Sequence, residues 1–447
     1  MLTFVQNWFG PKPNPIGVDF GSDGLRLAQV QFTGGEWRLT AAAMADVPSS
    51  VRHDPAKRLN FFVETTRDLL AQGTFKGRQA VLGLPAASMF IQHLRLAKMD
   101  EEETRKALPW EARGKLPIDP NHAVLRHIVA GEVYQDQEPK NEIILMAAGR
   151  ELVNQLLAMA TRARLDVVGM NVEPKAVIDC FGRIYRRKND ENTTNCFVDI
   201  GAAASRAIIT RGADILFARN IPVGGDHFTR AVAAAMKLNF EDAKLLRIKL
   251  CAANPSLDEL REKQSIRPGG AGEAQAPGAE SPDNSFALLG AGMAAGGAKG
   301  QAATKPEGER RQDLEMSAAP ADGQAVEVEA ACREPLAKLI DELNLCRRYY
   351  EATFPDRPVD RLIFIGGEAR QRGLCQTIAR ELGLAAQVGD PMVRMGRVSD
   401  VGIETGIDRR QPQPNWAVAL GLSMGPLAND EASVVKAVAA KGDDAGA

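Results

Sequence analysis

The chain lacks the features that mark several common protein classes. Its 55 basic and 57 acidic residues leave a net charge of −2, so no basic surface for nucleic acid is expected. Its six cysteines form no C-x-x-C pair, and its five histidines show no metal-binding spacing, which argues against disulfides and a zinc site. No apolar run reaches the roughly 18 residues of a membrane span. A cytoplasmic protein without a span is expected.

One short pattern occurs twice. Asp19 and Asp199 each end an apolar run and are followed at two residues by Gly21 and Gly201, then by a second apolar run. The pattern predicts a strand, a tight turn and a returning strand. Glycine allows a phosphate to approach the turn backbone closely, and an aspartate beside it suits a hydrated Mg²⁺. The alternative is two ordinary structural turns.

Two further segments fit such a site. Gly366 and Gly367 follow the apolar run Leu362–Ile365, which would let the backbone pack against an adenine or a ribose. Glu173 precedes Pro174 at a predicted helix start. Its carboxylate either orients a hydrolytic water or serves as an N-terminal charge that favours the helix dipole.

The rest of the chain alternates short strands with helices, which is typical of α/β architecture. Residues 252–323 are dominated by Ala, Gly, Pro, Glu and Gln and cannot bury enough apolar area to fold. The expected organisation has a flexible N-terminal segment, two halves with a disordered insertion in the second, a closing helix that returns to the first half, and a disordered tail. The corresponding ranges are 1–14, 15–172, 173–427, 252–323 and 428–447. In the first half, residues 86–148 interrupt the pattern and predict an extra subdomain.

The order of these segments resembles the actin-like ATPase superfamily, and within it the PilM family of type IV pilus assembly. That resemblance implies an actin-like fold of two related α/β halves, with an FtsA-like subdomain inserted in the first. It also implies a site for ATP or ADP with Mg²⁺, the metal lying beside Asp19 and Asp199, and Glu173 facing the phosphates. The nucleotide-binding residues that it implies are Asp19, Gly21, Ser22, Asp23, Gly24, Asp199, Gly201, Ala202, Gly224, Gly225, Lys244, Arg247, Gly366 and Gly367.

Some positions differ from the pattern of that family. The second turn has Ala203 and Ala204 where hydroxyl residues are usual, and Arg206 follows where an acidic residue is common. Lys244 and Arg247 stand where the family has Glu and then Lys, and Glu368 replaces a third glycine. These differences predict weak or absent hydrolysis of ATP.

By the same resemblance, the function is that of a cytoplasmic scaffold, peripheral to the inner membrane through its partners. The expected partners are the cytoplasmic N-terminal peptide of a PilN-like single-span protein and other pilus assembly components. The peptide would lie between the first half and the extra subdomain. Two alternatives stay open: an active enzyme such as a sugar kinase of the same superfamily, and a GspL-like component of type II secretion.

Overall fold

Three β-sheets organise the chain in the computed structural model, which describes residues 13–52, 54–185, 192–253, 321–397, 407 and 410–425. The strands are β1 (Ile16–Phe20), β2 (Gly24–Thr33), β3 (Glu36–Asp46), β4 (Gln79–Leu84), β5 (Met89–Ala97), β6 (Ala123–Gln135), β7 (Glu138–Gly149), β8 (Asp166–Val172), β9 (Thr194–Ile200), β10 (Ser205–Arg211), β11 (Asp214–Ile221), β12 (Arg361–Ile365), β13 (Ala385–Val388) and β14 (Gly396–Arg397). The helices are α1 (Ser49–Arg52), α2 (Pro55–Gln72), α3 (Glu101–Glu111), α4 (Arg150–Arg162), α5 (Glu173–Phe181), α6 (Gly225–Met236), α7 (Phe240–Ala253), α8 (Ala321–Thr353), α9 (Arg372–Leu382) and α10 (Ala417–Met424).

The two larger sheets repeat one topology. The first has the order β14-β3-β2-β1-β4-β8 and the second has the order β11-β10-β9-β12-β13. In each, a three-stranded antiparallel meander is extended by two parallel strands: β4 and β8 in the first sheet, β12 and β13 in the second. Strands β1 and β9 are central and buried along their whole length, as expected for strands covered on both faces. The expected fold class, two related α/β halves, is confirmed.

The last helix in the described part of the chain, α10, packs on the first half although it follows the second half in sequence. A Cβ on Gly421 would lie 1.8 Å from the carbonyl oxygen of Ala176 in α5, so only glycine permits this backbone contact. Gly17 of β1 is equally restricted, because its Cβ would lie 2.1 Å from the Ala419 carbonyl oxygen. The Ser423 hydroxyl donates to the carbonyl of Pro15, 2.7 Å away. These contacts fix α10 against β1 and α5.

The third sheet has the order β5-β7-β6 and forms the inserted subdomain. Helix α3 covers its outer face, where Leu94, Leu108 and Leu145 belong to one apolar cluster. Its inner face packs mainly against the second half: Ile144 and Met146 join the main core, and β11 lies across the sheet. The sequence predicted a subdomain inserted in the first half, and along the chain this sheet lies between β4 and α4, while these contacts join it to the second half.

Helix α3 contains Pro109 and ends at Glu111. Pro109 has no N–H to donate to the carbonyl four residues earlier, so the helix lacks one backbone hydrogen bond there. Helix α8 is described from Ala321 onwards. Most of the predicted insertion, the N-terminal segment and the predicted tail lie outside the described residues.

Candidate functional site

The two Asp-x-Gly segments form the strand–turn–strand units expected from the sequence. Strands β1 and β2 pair antiparallel around the turn that contains Gly21, and strands β9 and β10 do so around the turn that contains Gly201. In the first unit Asp19 lies directly opposite Arg26. In the second, Asp199 lies directly opposite Arg206. The repeat therefore includes an arginine seven residues after each aspartate, a signal visible in the sequence.

Each arginine contacts the aspartate across its hairpin, but their further contacts differ. Arg26 lies 3.8 Å from Asp19 and 3.6 Å from Asp23, so its contacts stay within the first turn. Arg206 donates from Nη2 and Nε to Oδ2 of Asp199, at 2.7 Å and 3.2 Å. Its Nη1 also forms an ion pair with Glu173. Arg206 thus joins a hairpin of the second half to the residue that follows β8 of the first sheet.

The acidic side chains of Asp19, Glu173 and Asp199 are buried close together in the cleft. Burial raises the pKa of Asp19 to about 6, although Arg26 and Arg206 oppose the shift. Burial also raises the pKa of Glu173 to about 8 against the effect of Arg206, and the neighbouring charges of Asp19 and Asp199 add to the rise. Burial thus favours the neutral form of Glu173, whereas its ion pair with Arg206 favours the carboxylate. Burial alone would lower the pKa of Arg206, but Asp199, Glu173 and Asp19 outweigh it and raise the pKa.

The glycine pair after β12 brings the two hairpins together. Gly366 has a φ of +88°, and a Cβ there would lie 2.3 Å from Oδ1 of Asp199. Gly367 faces the first hairpin, because its Cβ would lie 3.7 Å from Oδ2 of Asp23. A side chain at position 366 would thus be strained in its backbone and would overlap the Asp199 carboxylate.

The first turn of helix α6 packs directly on the second hairpin. The Gly225 amide donates to the Gly201 carbonyl at 2.9 Å, and the Asp226 amide donates to the Ala202 carbonyl at 2.8 Å. A Cβ on Gly224 would lie 2.6 Å from each of these carbonyl oxygens. Gly224 and Gly225 therefore pack directly against the second turn. The amides of Gly225 and Asp226 are hydrogen-bonded within the protein.

Arg247 forms a buried ion pair with Glu368. Its Nη1 and Nη2 donate to the two carboxylate oxygens at 2.7 Å and 2.9 Å, and Gln371 donates to the same carboxylate. Glu368 also lies over Gly225, where an added Cβ would be 2.0 Å from Oε1. The Arg247–Glu368 pair therefore lies beside Gly225 of α6 and next to the Gly366–Gly367 pair.

Most of the predicted site residues line one cavity between the two halves. The lining includes Asp19, Gly21, Ser22, Asp23, Glu173, Asp199, Gly201, Ala202, Gly366 and Gly367. The structure places Gly24, Gly224, Gly225, Lys244 and Arg247 outside this lining. The cavity volume is about 80 Å³, whereas pockets for organic ligands span roughly 300–1,000 Å³. A nucleotide would require the two halves to separate.

The carboxylates in this arrangement do not fit a resident Mg²⁺. Mg²⁺ requires near-octahedral oxygen ligands about 2.0–2.1 Å away. Oδ2 of Asp199 accepts two hydrogen bonds from Arg206, and its Oδ1 faces Gly366. Within the described ranges, no group of three or more His, Cys, Asp or Glu side chains is placed to hold a metal ion. The expected metal position beside Asp19 and Asp199 stays a prediction.

Sequence reasoning missed a second group of charges that borders the cleft. Arg58 lines the cavity, and its Nη2 donates to the Gly21 carbonyl at 3.1 Å. Arg52 lies 3.7 Å from Asp226, which joins α1 of the first half to α6 of the second. No sequence signal identifies these residues, because their partners lie far away along the chain.

Comparison with known proteins decides the family. The model of the family described as "Type IV pilus assembly protein PilM" matches residues 17–253, which is more than half of the chain. The chain belongs to this family. The model of the cell division protein FtsA matches residues 196–421, so related signals extend through the second half of this PilM-family chain.

Two individual relatives are similar to this PilM-family chain. A solved structure titled "PilM-PilN type IV pilus biogenesis complex" has a TM-score of 0.63 and 19% identity, and the match covers 92% of this chain and 99% of that one. It shows the same fold. The cell division protein FtsA of Bacillus subtilis (strain 168) is 22% identical over 120 residues, which are 27% of this chain and 26% of FtsA. The match thus spans about a quarter of that curated relative.

In the described part of the chain, no helix has the length and apolarity needed to span a membrane.

Proposed function

We propose that this PilM-family protein is a nucleotide-binding scaffold of type IV pilus assembly that captures the cytoplasmic N-terminal peptide of a PilN-like inner-membrane protein. Its family membership and its fold, shared with a structure titled as a PilM–PilN complex, support a PilN-like partner. The scaffold would act at the cytoplasmic face of the inner membrane, held there by that partner and by other assembly components. Family membership favours this function over the sugar-kinase and GspL-like alternatives.

The outer edge of β6 is the observation that carries the peptide site. This strand has 13 residues and pairs with β7, and no described residue pairs with its other edge. An unpaired strand edge offers backbone donors and acceptors to an added peptide strand. Val129 and Tyr134 on β6 are 49% and 73% exposed and would supply apolar contacts to the peptide. The proposed site is therefore the β6 edge.

The cleft between the halves is the proposed site for ATP or ADP. The turns at Gly21–Ser22 and Gly201–Ala202 line the cavity from opposite sides, as expected for turns that hold phosphates between them. Gly366 and Gly367 line its third side. Since the cavity is too small for a nucleotide as it stands, binding would be accompanied by opening of the cleft.

Hydrolysis would be slow or absent. Glu173 is the one residue that the sequence suggests for orienting water, and a general base must be ionised and free to accept a proton. In the structure Glu173 is buried, contacts Arg206 and has a pKa raised to about 8 by burial. A carboxyl group that is buried and held by the Arg206 guanidinium is not free to accept a proton from a water molecule.

Isothermal titration of the full chain with the N-terminal peptide of the PilN-like protein tests the proposal. Val129→Glu places a charge at the β6 edge and should weaken binding at least tenfold. Val393→Glu is the matched control, since Val393 is 45% exposed and lies outside the subdomain, and it should bind as the wild type does. No binding by the wild type, or equal binding by both variants, would contradict the proposed site.

A further inference from the structure

The cleft contains a cation that belongs to the chain itself. Arg206 extends from β10, its side chain is 11% exposed, and an arginine guanidinium stays charged at any ordinary pH. It contacts the carboxylates of both Asp199 and Glu173. Asp199 belongs to the second sheet and Glu173 follows the last residue of β8 in the first sheet, so a single guanidinium links the two sheets.

This bridging is not a general consequence of the repeated hairpin. Arg26 occupies the equivalent position in the first unit, yet its ion pairs are with Asp19 and Asp23 of its own hairpin. Only the second arginine of this pair crosses the cleft. The cross-link therefore depends on Glu173, whose carboxyl is held beside the second hairpin by the start of helix α5.

We infer that Arg206 takes the place of a divalent metal in this cleft: it neutralises Asp199 and Glu173 and links the second hairpin to the residue that follows β8, so that the site does not use Mg²⁺. The inference adds to the nucleotide-binding part of the proposed function. A guanidinium donates several hydrogen bonds in one plane and pairs well with phosphate oxygens. Arg206 would thus supply the positive charge that a bound nucleotide needs in the absence of a metal.

The contacts of the Asp199 carboxylate explain why the site does not need a metal ion. A divalent ion beside Asp199 would have to displace two hydrogen bonds of 2.7 Å and 3.2 Å and would lie against a fixed positive charge. Without this guanidinium, Asp199 and Glu173 would lose the cation that they share, although Asp19 would keep Arg26. Buried carboxylates that lose their cation are destabilising. Once released from Arg206, the oxygens of Asp199 and Glu173 would be able to rearrange around Mg²⁺. Removal of Arg206 should therefore create a response to Mg²⁺ that the wild type lacks.

Thermal unfolding of the full chain with 5 mM MgCl₂ or with EDTA tests this inference. The wild type should unfold at the same temperature in both buffers. R206Q should melt lower in EDTA, by about 5 °C or more, and Mg²⁺ should restore at least half of the loss. R247Q is the matched control: it also removes a buried arginine from a bidentate ion pair but leaves one carboxylate, Glu368, so Mg²⁺ should restore nothing.

Three outcomes would overturn the inference: stabilisation of the wild type by Mg²⁺, an R206Q variant as stable in EDTA as the wild type, or a destabilised R206Q that Mg²⁺ does not restore. If R206Q fails to fold, titration of the wild type with fluorescent ADP decides. Its dissociation constant should agree within twofold between Mg²⁺ and EDTA, and a loss of tenfold or more in EDTA would overturn the inference. If ADP binds in neither buffer, the nucleotide part of the proposed function fails, while the wild-type thermal comparison still tests whether the site uses Mg²⁺.

Discussion

Glu142 is expected to hold the inserted subdomain to the second half. This carboxylate is fully buried on β7 and accepts hydrogen bonds from His93 at 3.0 Å, Arg95 at 3.1 Å and Tyr349 at 2.8 Å. Tyr349 belongs to α8, and the second ring nitrogen of His93 lies 3.2 Å from the carbonyl oxygen of Ala218 in β11. One acidic side chain thus connects the subdomain to two elements of the second half.

The magnitude follows from the partners that Glu142→Ala would leave behind. Breaking a buried ion pair by removing one partner costs about 3–5 kcal/mol. Arg95 is 35% exposed at its side chain and can regain water, so the lower end of that range, about 3 kcal/mol, is expected. Glu142→Gln retains an acceptor for Tyr349 or Arg95 and should cost about 1–2 kcal/mol.

Urea unfolding at neutral pH, followed by circular dichroism, measures these changes in the free energy of unfolding. Glu132→Ala is the matched control, because Glu132 lies on the neighbouring strand β6 and pairs with Lys98 at an exposed site, where about 0–1 kcal/mol is expected. A loss below 1 kcal/mol for Glu142→Ala, or equal losses for the two alanine variants, would refute the reasoning.

The remaining predictions concern pH, packing, the insertion and catalysis. Burial raises the pKa of Glu142, but the hydrogen bonds from His93, Tyr349 and Arg95 together outweigh burial and lower this pKa below 4.5. The contribution of Glu142 to stability should therefore be complete above pH 4.5 and be lost as the pH falls through the lowered pKa. The pH dependence of urea unfolding, compared between the wild type and Glu142→Gln, measures this loss. Gly421→Ala should lower the melting temperature by several degrees because its Cβ would overlap the Ala176 carbonyl, whereas Gly373→Ala on α9, with no atom within 4 Å of its Cβ, should have no effect or stabilise slightly. Replacement of residues 254–320 by a short Gly/Ser linker should leave the melting temperature nearly unchanged, and a fall of many degrees would show that this segment packs on the core. ATP turnover should stay below the usual enzyme range of roughly 1–1,000 per second, and a phosphate-release assay within that range would favour the kinase alternative.

The sequence predicts those parts of the fold that depend on local pattern. The apolar runs around Asp19 and Asp199 identify both hairpins, since a strand, a glycine turn and a returning strand are encoded within a few residues. Strand β5 was not predicted. This strand carries His93 and Arg95 among its apolar residues. Both side chains are hydrogen-bonded to Glu142, which lies 49 and 47 positions further along the chain. Long-range pairing of this kind leaves no local signal.

In the candidate site, too, the sequence predicts the local turns but not the contacts between distant residues. The residues of the turns, Gly21 and Gly201, and the Gly366–Gly367 pair were expected in one cleft and line one cavity. Arg247 was expected to contact a nucleotide, which stays a prediction, and in the structure it pairs with Glu368, a residue 121 positions away. A basic residue at a plausible position does not reveal whether its partner is a ligand or another part of the chain.

The most direct test of the central claim is site-specific photo-crosslinking in cells that carry the assembled pilus machinery. A photoreactive residue in place of Val129, at the β6 edge, should form a covalent adduct with the N-terminal cytoplasmic segment of the PilN-like protein. The same residue at Val393 should not. Crosslinks to that segment from the cleft residues Ser22 or Ala202, with none from position 129, would contradict the proposed scaffold geometry.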